Sequence, residues 1–290
     1  MISDALRGRV ERALAQRITA VSRVSGGDIN DAFELTLADG QSAFLKTNAR
    51  AAPSMFAVEA RGLGFLEQAR ALRVPLVLGH SSEHEGGSHF LLLELVRSAR
   101  PRRGFDEALG RGLAALHRSG APSFGLDEPN FIGRLPQSNT PSETWAEFYR
   151  AQRLEAQLDL ALASGRVSPA LRRDFERLFA RLPELVGDAE PPARLHGDLW
   201  SGNLHVDEQG APCLIDPAVY GGQREVDLAM MRLFGGFSEP VFSAYHEAFP
   251  LMAGHASRVA LYQLYPLLVH VNLFGGGYVN AVQRALAEYL

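Results

Sequence analysis

Leu6, Val10 and Leu14 fall in line at helical spacing and predict a helix over 3–15. Ile18 to Ser25 reads as a strand running into Gly26-Gly27-Asp28-Ile29-Asn30. Ala32 to Leu37 reads as a second, with Phe33, Leu35 and Leu37 alternating with polar residues. Asp39-Gly40 is a two-residue hairpin signal, and a third strand follows from Ser42 to Thr47, with Lys46 near its end. Ser54 is placed to cap a helix to about Leu72 whose apolar stripe holds Met55, Val58, Gly62, Leu63, Phe65, Leu66 and Ala69. At about 100° per residue, Glu59 falls inside that stripe. A carboxylate facing a core needs a cation. Lys46 is the natural partner, and a Glu59 that reaches water from the stripe edge is the alternative.

Val74 to Gly79 predicts a further strand, 81–88 a polar loop, and the apolar run His89 to Val96 a buried strand. From Asp106 onward helical patterns dominate. Leu109, Leu113 and Leu116 line a helix closed by Ser119-Gly120, and His117 on its margin reads as structural. Residues 121–141 are rich in proline and glycine, a long connection that hints at a functional loop. A helix over 142–163 puts Trp145, Phe148, Tyr149 and Gln152 on one face. Another starts at Ser168-Pro169 and is stopped by Pro183. Leu204-His205-Val206 and Cys213-Leu214-Ile215 predict a short hairpin, then Glu225 to Phe234 a helix. Asp227 in its first turn either caps that helix or holds a neighbouring loop. Three further helices fill 238–290, broken at Pro250, near Pro266 and at Gly275-Gly276-Gly277. The architecture expected is α+β, with an N-terminal lobe over 1–96 built on an antiparallel sheet and a larger, mainly helical lobe over 97–290.

Composition narrows the function. The 290 residues are 46% hydrophobic and 21% charged, with net charge −4, enough for one large domain or two modest ones. That balance argues against nucleic acid or an anionic membrane as a main partner. One cysteine, Cys213, allows no intramolecular disulfide and fits a cytoplasmic setting. The N-terminal residues include Asp4, Arg7, Arg9, Glu11 and Arg12, so no signal-peptide core is expected. The apolar stretch Val259 to Phe274 contains Gln263, Pro266, His270 and Asn272 and is too short for a membrane span. It reads as a buried helix kinked or split at Pro266.

The chemistry concentrates in Arg194-Leu195-His196-Gly197-Asp198-Leu199-Trp200-Ser201-Gly202-Asn203 and in Cys213-Leu214-Ile215-Asp216-Pro217. His196, Asp198 and Asn203 fit the H-x-D-x-x-x-x-N spacing of kinase-type catalytic loops. In phosphoryl transfer from ATP, an Asp orients the acceptor hydroxyl and takes its proton. An Asn and a second Asp supply oxygen ligands to magnesium. Asp198, Asn203 and Asp216 match these roles, and the 204–215 hairpin would carry Asn203 and Asp216 at its two ends. The competing reading is a polar turn, since Asp, Asn and Gly populate turns generally. Gly26 and Gly27, with Asp28, allow close backbone approach to a phosphate, though most such pairs are only turns. By position alone, the backbone of Glu94, Leu95 and Val96 is a candidate for an adenine edge. Gln137 and Asn139 are candidates for sugar contacts.

The pattern as a whole resembles the fructosamine kinase (ketosamine kinase) family, related to protein kinases and aminoglycoside phosphotransferases. The resemblance spans nearly the whole chain. Its most specific parts are His196 to Asn203, Ile215-Asp216-Pro217-Ala218-Val219-Tyr220 and Arg224-Glu225-Val226-Asp227-Leu228-Ala229-Met230, with Asn272-Leu273-Phe274-Gly275-Gly276-Gly277-Tyr278 behind them. It implies a two-lobe kinase fold, ATP with magnesium, and phosphorylation of a sugar hydroxyl, commonly at C3 of a ketosamine, free or on glycated protein. Carried over by motif, Lys46 would bind phosphates, Glu59 would hold Lys46, Asp198 would be the base, and Asn203 and Asp216 the magnesium ligands. Trp200 would lie beside the sugar, where the alternative is core packing. Two other functions compete. One is a kinase for an amino alcohol or aminoglycoside. The other is a non-catalytic nucleotide-binding pseudokinase, which the presence of Lys46, Asp198, Asn203 and Asp216 disfavours.

Overall fold

The computed structural model describes residues 2–24, 30–82 and 86–290, and the chain packs as two compact units. The first comprises Met1–Arg103 with His205–Pro217, the second Gly104–Leu204 with Ala218–Leu290. Gly26, Gly27 and Asp28 lie outside the described residues.

The first unit opens with α1 (Asp4–Leu14), capped by the Ser3 hydroxyl. Strands β1 (Ile18–Val24), β2 (Asp31–Leu37) and β3 (Ser42–Asn48) precede α2 (Met55–Glu67), then β4 (Val77–His80) and β5 (His89–Glu94) complete a five-stranded antiparallel sheet in the order β1-β2-β3-β5-β4. Period-two alternation sends Phe33, Leu35 and Leu37 of β2, with Ala43 and Leu45 of β3, into one core with Leu6 and Val10 of α1. A second apolar cluster joins Phe56, Ala60 and Leu63 of α2 to Leu91 and Leu93 of β5.

Local details depart from expectation. The Asp39-Gly40 turn has three loop residues. Leu37 N–H donates to Gln41 O at 2.9 Å, and Gly40 N–H donates to Leu37 O at 3.0 Å. Gly40 takes φ +85°, the left-handed residue that follows a type I turn in a three-residue hairpin. Ser54 is itself helical (φ −80°, ψ −13°) and makes no side-chain cap, and the helix ends at Glu67, short of Leu72.

The second unit begins with α3 (Phe105–Arg118). The 121–141 segment contains a small hairpin, β6 (Asn130–Ile132) with β7 (Leu135–Gln137). Thr144 and Glu147 form a capping box on α4 (Trp145–Phe148). The helix then continues through a π-helical stretch, Tyr149–Glu155, into α5 (Ala156–Ala163). Next come α6 (Pro169–Leu185), which runs past Pro183, and β8 (Ala193–Leu195). β9 (Leu204–Val206) and β10 (Pro212–Leu214), which apart from Leu204 belong to the first unit, form the expected hairpin, and in the second unit β11 (Tyr220–Gly222) pairs with β8. Helices α7 (Glu225–Leu233), α8 (Glu239–Ala248), α9 (His255–Phe274) and α10 (Val279–Ala287) complete the chain.

α9 is one unbroken helix of 20 residues through Pro266, where a kink or split is expected. Proline removes one amide donor from the ladder. Leu261, Leu264, Leu267, Leu268 and Val271 on either side are buried in the unit's core and hold the segment helical. Pro266 O also lies 2.8 Å from His270 Nδ1. No helix among the described residues is long and apolar enough to cross a membrane.

Candidate active site

In the first unit the site is built on β3. Alternation along this strand points Leu45 into the α1 core and Lys46 to the opposite face, where α2 packs. Lys46 Nζ lies 2.7 Å from Glu59 Oε1 and 3.0 Å from Asp216 Oδ1. The Lys46 and Glu59 side chains are 8% and 14% exposed, and that of Asp216 is 46% exposed. Burial alone would push the ammonium down. Asp216 and Glu59 outweigh it and hold Lys46 above the ordinary lysine range. Burial also pushes the Glu59 carboxyl up, against the pull of Lys46. Asp216 takes φ +54°, a left-handed conformation that Asp tolerates better than most side chains. The hairpin that delivers Asp216 is fastened by Arg73, whose guanidinium reaches Asp207 (3.1 Å), Glu208 (2.9 Å) and Glu94 (3.3 Å), while Leu214 N–H donates to Arg73 O at 2.8 Å. Burial opposes the charge on Asp207, but N–H bonds from Ala211 and Gln209 and the Arg73 guanidinium bring its carboxyl below the usual range.

The backbone of Glu94 to Val96 is partly engaged. Glu94 N–H donates to Leu76 O at 2.9 Å, and Val96 O accepts from His205 Nε2 at 3.0 Å.

In the second unit the 196–203 loop is held from its own backbone. Asp227, fully buried at the start of α7, accepts His196 N–H at 2.8 Å and Gly197 N–H at 2.9 Å. It also pairs with His117 Nε2 at 3.1 Å, and His117 Nδ1 lies 2.8 Å from Tyr245 Oη. Burial would raise the Asp227 carboxyl, but His117 and the loop amides hold it low. An ionised carboxylate only accepts, so His117 Nε2–H donates to Asp227. Of the two roles open to Asp227, the structure selects the one that holds the loop.

Gly197 has φ +83°, and a Cβ there would meet Ala218 O at 2.0 Å. Ala218 N–H in turn donates to His196 O at 2.9 Å, so the loop is stitched to the strand that enters β11. Asp198 follows, then Trp200 and a single 3₁₀ turn, Ser201–Asn203. Asn203 Nδ2 donates to Asp198 O at 2.8 Å and to Asp198 Oδ2 at 3.1 Å. This fixes the amide with its oxygen, a hard donor, directed away from the Asp198 carboxylate. Trp200 is 40% exposed, which removes core packing as its role. Its ring lies over Gly202, where a Cβ would come within 2.2 Å of it.

Gln137 and Asn139, expected near a sugar, are both buried. Gln137 Nε2 donates to Asn130 Oδ1 (2.7 Å) and Ala218 O (3.2 Å), while Tyr265 Oη donates to its Oε1. Asn139 donates to Asn130 Oδ1 at 2.9 Å and accepts from Arg153 Nη2 at 2.7 Å. Gln137 therefore holds Ala218 directly, and Asn139 supports Asn130, whose own amide donates to Val219 O at 2.8 Å, so both side chains are spent inside the fold. Arg153 has no signal in sequence. It sits fully buried in the π-helical stretch, its guanidinium 3.8 Å from the Tyr220 ring centroid and 4.6 Å from that of Phe148. Arg73 escapes sequence reading too, because its partners Asp207 and Glu208 lie 134 and 135 residues away. Among the described residues there is no cluster of three or more His, Cys, Asp or Glu that would hold a metal alone.

Comparison with known proteins gives the chain its place. The fructosamine kinase family model matches residues 3–290. The protein-ribulosamine 3-kinase of rice chloroplasts (Oryza sativa subsp. japonica) is 39% identical over 279 residues, covering 95% of this chain and 80% of that one. A Thermobifida fusca crystal structure, provisionally assigned as a fructosamine-3-kinase, superposes with TM-score 0.91 at 37% identity, covering 99% of each chain. An aminoglycoside phosphotransferase in complex with ADP and hygromycin B shares the fold at 15% identity, with TM-score 0.66 over 98% of this chain and 96% of that one. The α+β fold is that of kinase-like phosphotransferases, and the chain belongs to the fructosamine kinase family, an enzyme of the ketosamine 3-kinase type.

Proposed function

We propose that this chain transfers the γ-phosphoryl group of ATP to a sugar hydroxyl, at C3, of a ketosamine such as a ribulosamine, erythrulosamine or fructosamine, free or protein-bound. The observation that carries the reading is the loop that presents an exposed Trp200 two residues after Asp198, with Asn203 bonded back to the Asp198 carboxylate. Asp198 orients the acceptor hydroxyl and receives its proton, and Trp200 lies against the sugar face. Lys46, kept charged by Glu59, pairs with the ATP phosphates. The Glu94–Val96 backbone lies along the adenine edge; Gly26, Gly27 and Asp28, candidates for the same phosphates by sequence, lie outside the described residues. The oxygens of Asn203 and Asp216 are the donor type that magnesium prefers, so these two residues fit it. Bound there, the ion would neutralise charge on the phosphates. Such catalysis is mostly positioning and charge stabilisation.

The test is ADP release with magnesium against a panel of fructose-, ribulose- and erythrulose-amines and aminoglycosides, with Asp198→Asn as control. Turnover on ketosamines that falls by several orders of magnitude in the variant is expected. Turnover confined to aminoglycosides, or undiminished in Asp198→Asn, would overturn the substrate or the role of Asp198 respectively.

A further inference from the structure

The second unit carries a groove of about 480 Å³, and none of its lining residues belongs to the 196–203 loop. One wall is the segment from Glu143 to Arg150, and the other is the end of α6 with the turn Gly187 to Glu190. The floor is apolar, formed by Trp145, Phe179, Leu182 and Val186 with Phe124 at one end.

The rim has a one-sided charge: Glu143, Glu147, Asp188 and Glu190 face a single base, Arg150. Three of these five groups are already engaged. Glu190 binds Arg224 at 2.7 Å, Glu147 closes the capping box with Thr144, and Arg150 lies over the Phe179 ring at 5.2 Å. Glu143 and Asp188, one on each wall, are exposed and have no ion-pair partner among the described residues. An aromatic and aliphatic floor below two unpaired carboxylates suits a group with an apolar stem and a cationic head. Lysine and arginine side chains have that form, the stem on the floor and the head in the acidic rim. An anionic ligand would meet the same carboxylates as repulsion, and a second copy of this chain would bring net charge −4 to an acidic rim.

We propose that this groove docks a lysine- or arginine-bearing polypeptide segment, the carrier of a protein-bound acceptor. The inference rests on the proposed activity extending to protein-bound amines, and it assigns the groove to the carrier chain, apart from the sugar. Because Trp145 and Trp200 are the two tryptophans of the chain, Trp200→Phe leaves Trp145 as a reporter in the groove floor.

The experiment is titration of the full-length Trp200→Phe protein with an end-blocked heptalysine peptide, followed by calorimetry and by Trp145 emission, with heptaglutamate as control. Saturable heptalysine binding that moves Trp145 emission is expected. Glu143→Gln with Asp188→Asn, both surface changes, should weaken it at least tenfold. In otherwise wild-type protein the same pair should leave turnover of a free ketosamine unchanged. Binding that persists in the double variant, or leaves Trp145 emission unmoved, overturns the proposal. So does concentration-dependent self-association that the double variant abolishes, which would make the occupant a second copy. Absent turnover on every free ketosamine, with groove binding intact, would count against the catalytic reading alone.

Discussion

Lys46 Nζ lies 2.7 Å from Glu59 Oε1, and both side chains are largely buried, so neither charge has water to fall back on. Charges removed from water are tolerated only in pairs, and losing one partner costs more than the pair contributes. Glu59→Ala leaves Lys46 with Asp216 alone. It is expected to lower unfolding free energy by about 2–4 kcal/mol and to depress kcat. Lys46→Met with Glu59→Leu should cost less than the sum of the single changes. Urea denaturation of the wild type, Lys46→Met, Glu59→Leu and the double variant measures the coupling, and strictly additive effects would show that the contact carries none.

Asp227 makes the acid stability of the second unit testable. Its folded carboxyl lies below the ordinary value near 3.9. The stability it contributes is therefore complete above that value and is lost as pH falls through the folded one. Asp227→Asn places an amide donor against backbone N–H groups and should cost about 2 kcal/mol at pH 7. It should also flatten the fall in urea midpoint between pH 5 and pH 3. An acid limb as steep in the variant as in the wild type would remove Asp227 as its source.

Two glycines of the same loop should fail differently. At Gly197 a new Cβ meets backbone, Ala218 O at 2.0 Å, and φ is +83°. Gly197→Ala is expected to destabilise by about 3 kcal/mol or more, since strain and clash add. At Gly202 the obstacle is the Trp200 ring, a half-exposed side chain that can turn away. Gly202→Ala should stay folded, shift tryptophan emission and raise KM for the sugar more than it lowers kcat. Thermal melts with steady-state kinetics separate the two outcomes.

Cys213 is fully buried in β10, and burial pushes its thiol up to about 12. The thiolate is the reactive form, so native protein at pH 7–8 should resist thiol reagents and titrate one thiol only when denatured. Rapid stoichiometric labelling of the folded protein would contradict this placement.

The sequence by itself determined the local order. Period-two alternation in Phe33, Leu35 and Leu37 and helical stripes such as Leu109, Leu113 and Leu116 are short-range consequences of which face must leave water. The spacing His196-x-Asp198-x-x-x-x-Asn203 is short-range too, as is the Lys46–Glu59 pairing, which follows from a carboxylate on an apolar stripe. Tertiary structure decided what depends on distant partners. Asp227 could have capped its own helix, but the His196 and Gly197 amides, thirty residues upstream, took its oxygens. Gln137 and Asn139 looked like polar loop residues until Asn130, Arg153, Tyr265 and Ala218 closed around them. Pro266 would break an isolated helix, but burial of its neighbours outweighs one missing amide bond. Propensity and periodicity act over a few residues, whereas a buried polar group is defined by whatever the folded chain brings to it.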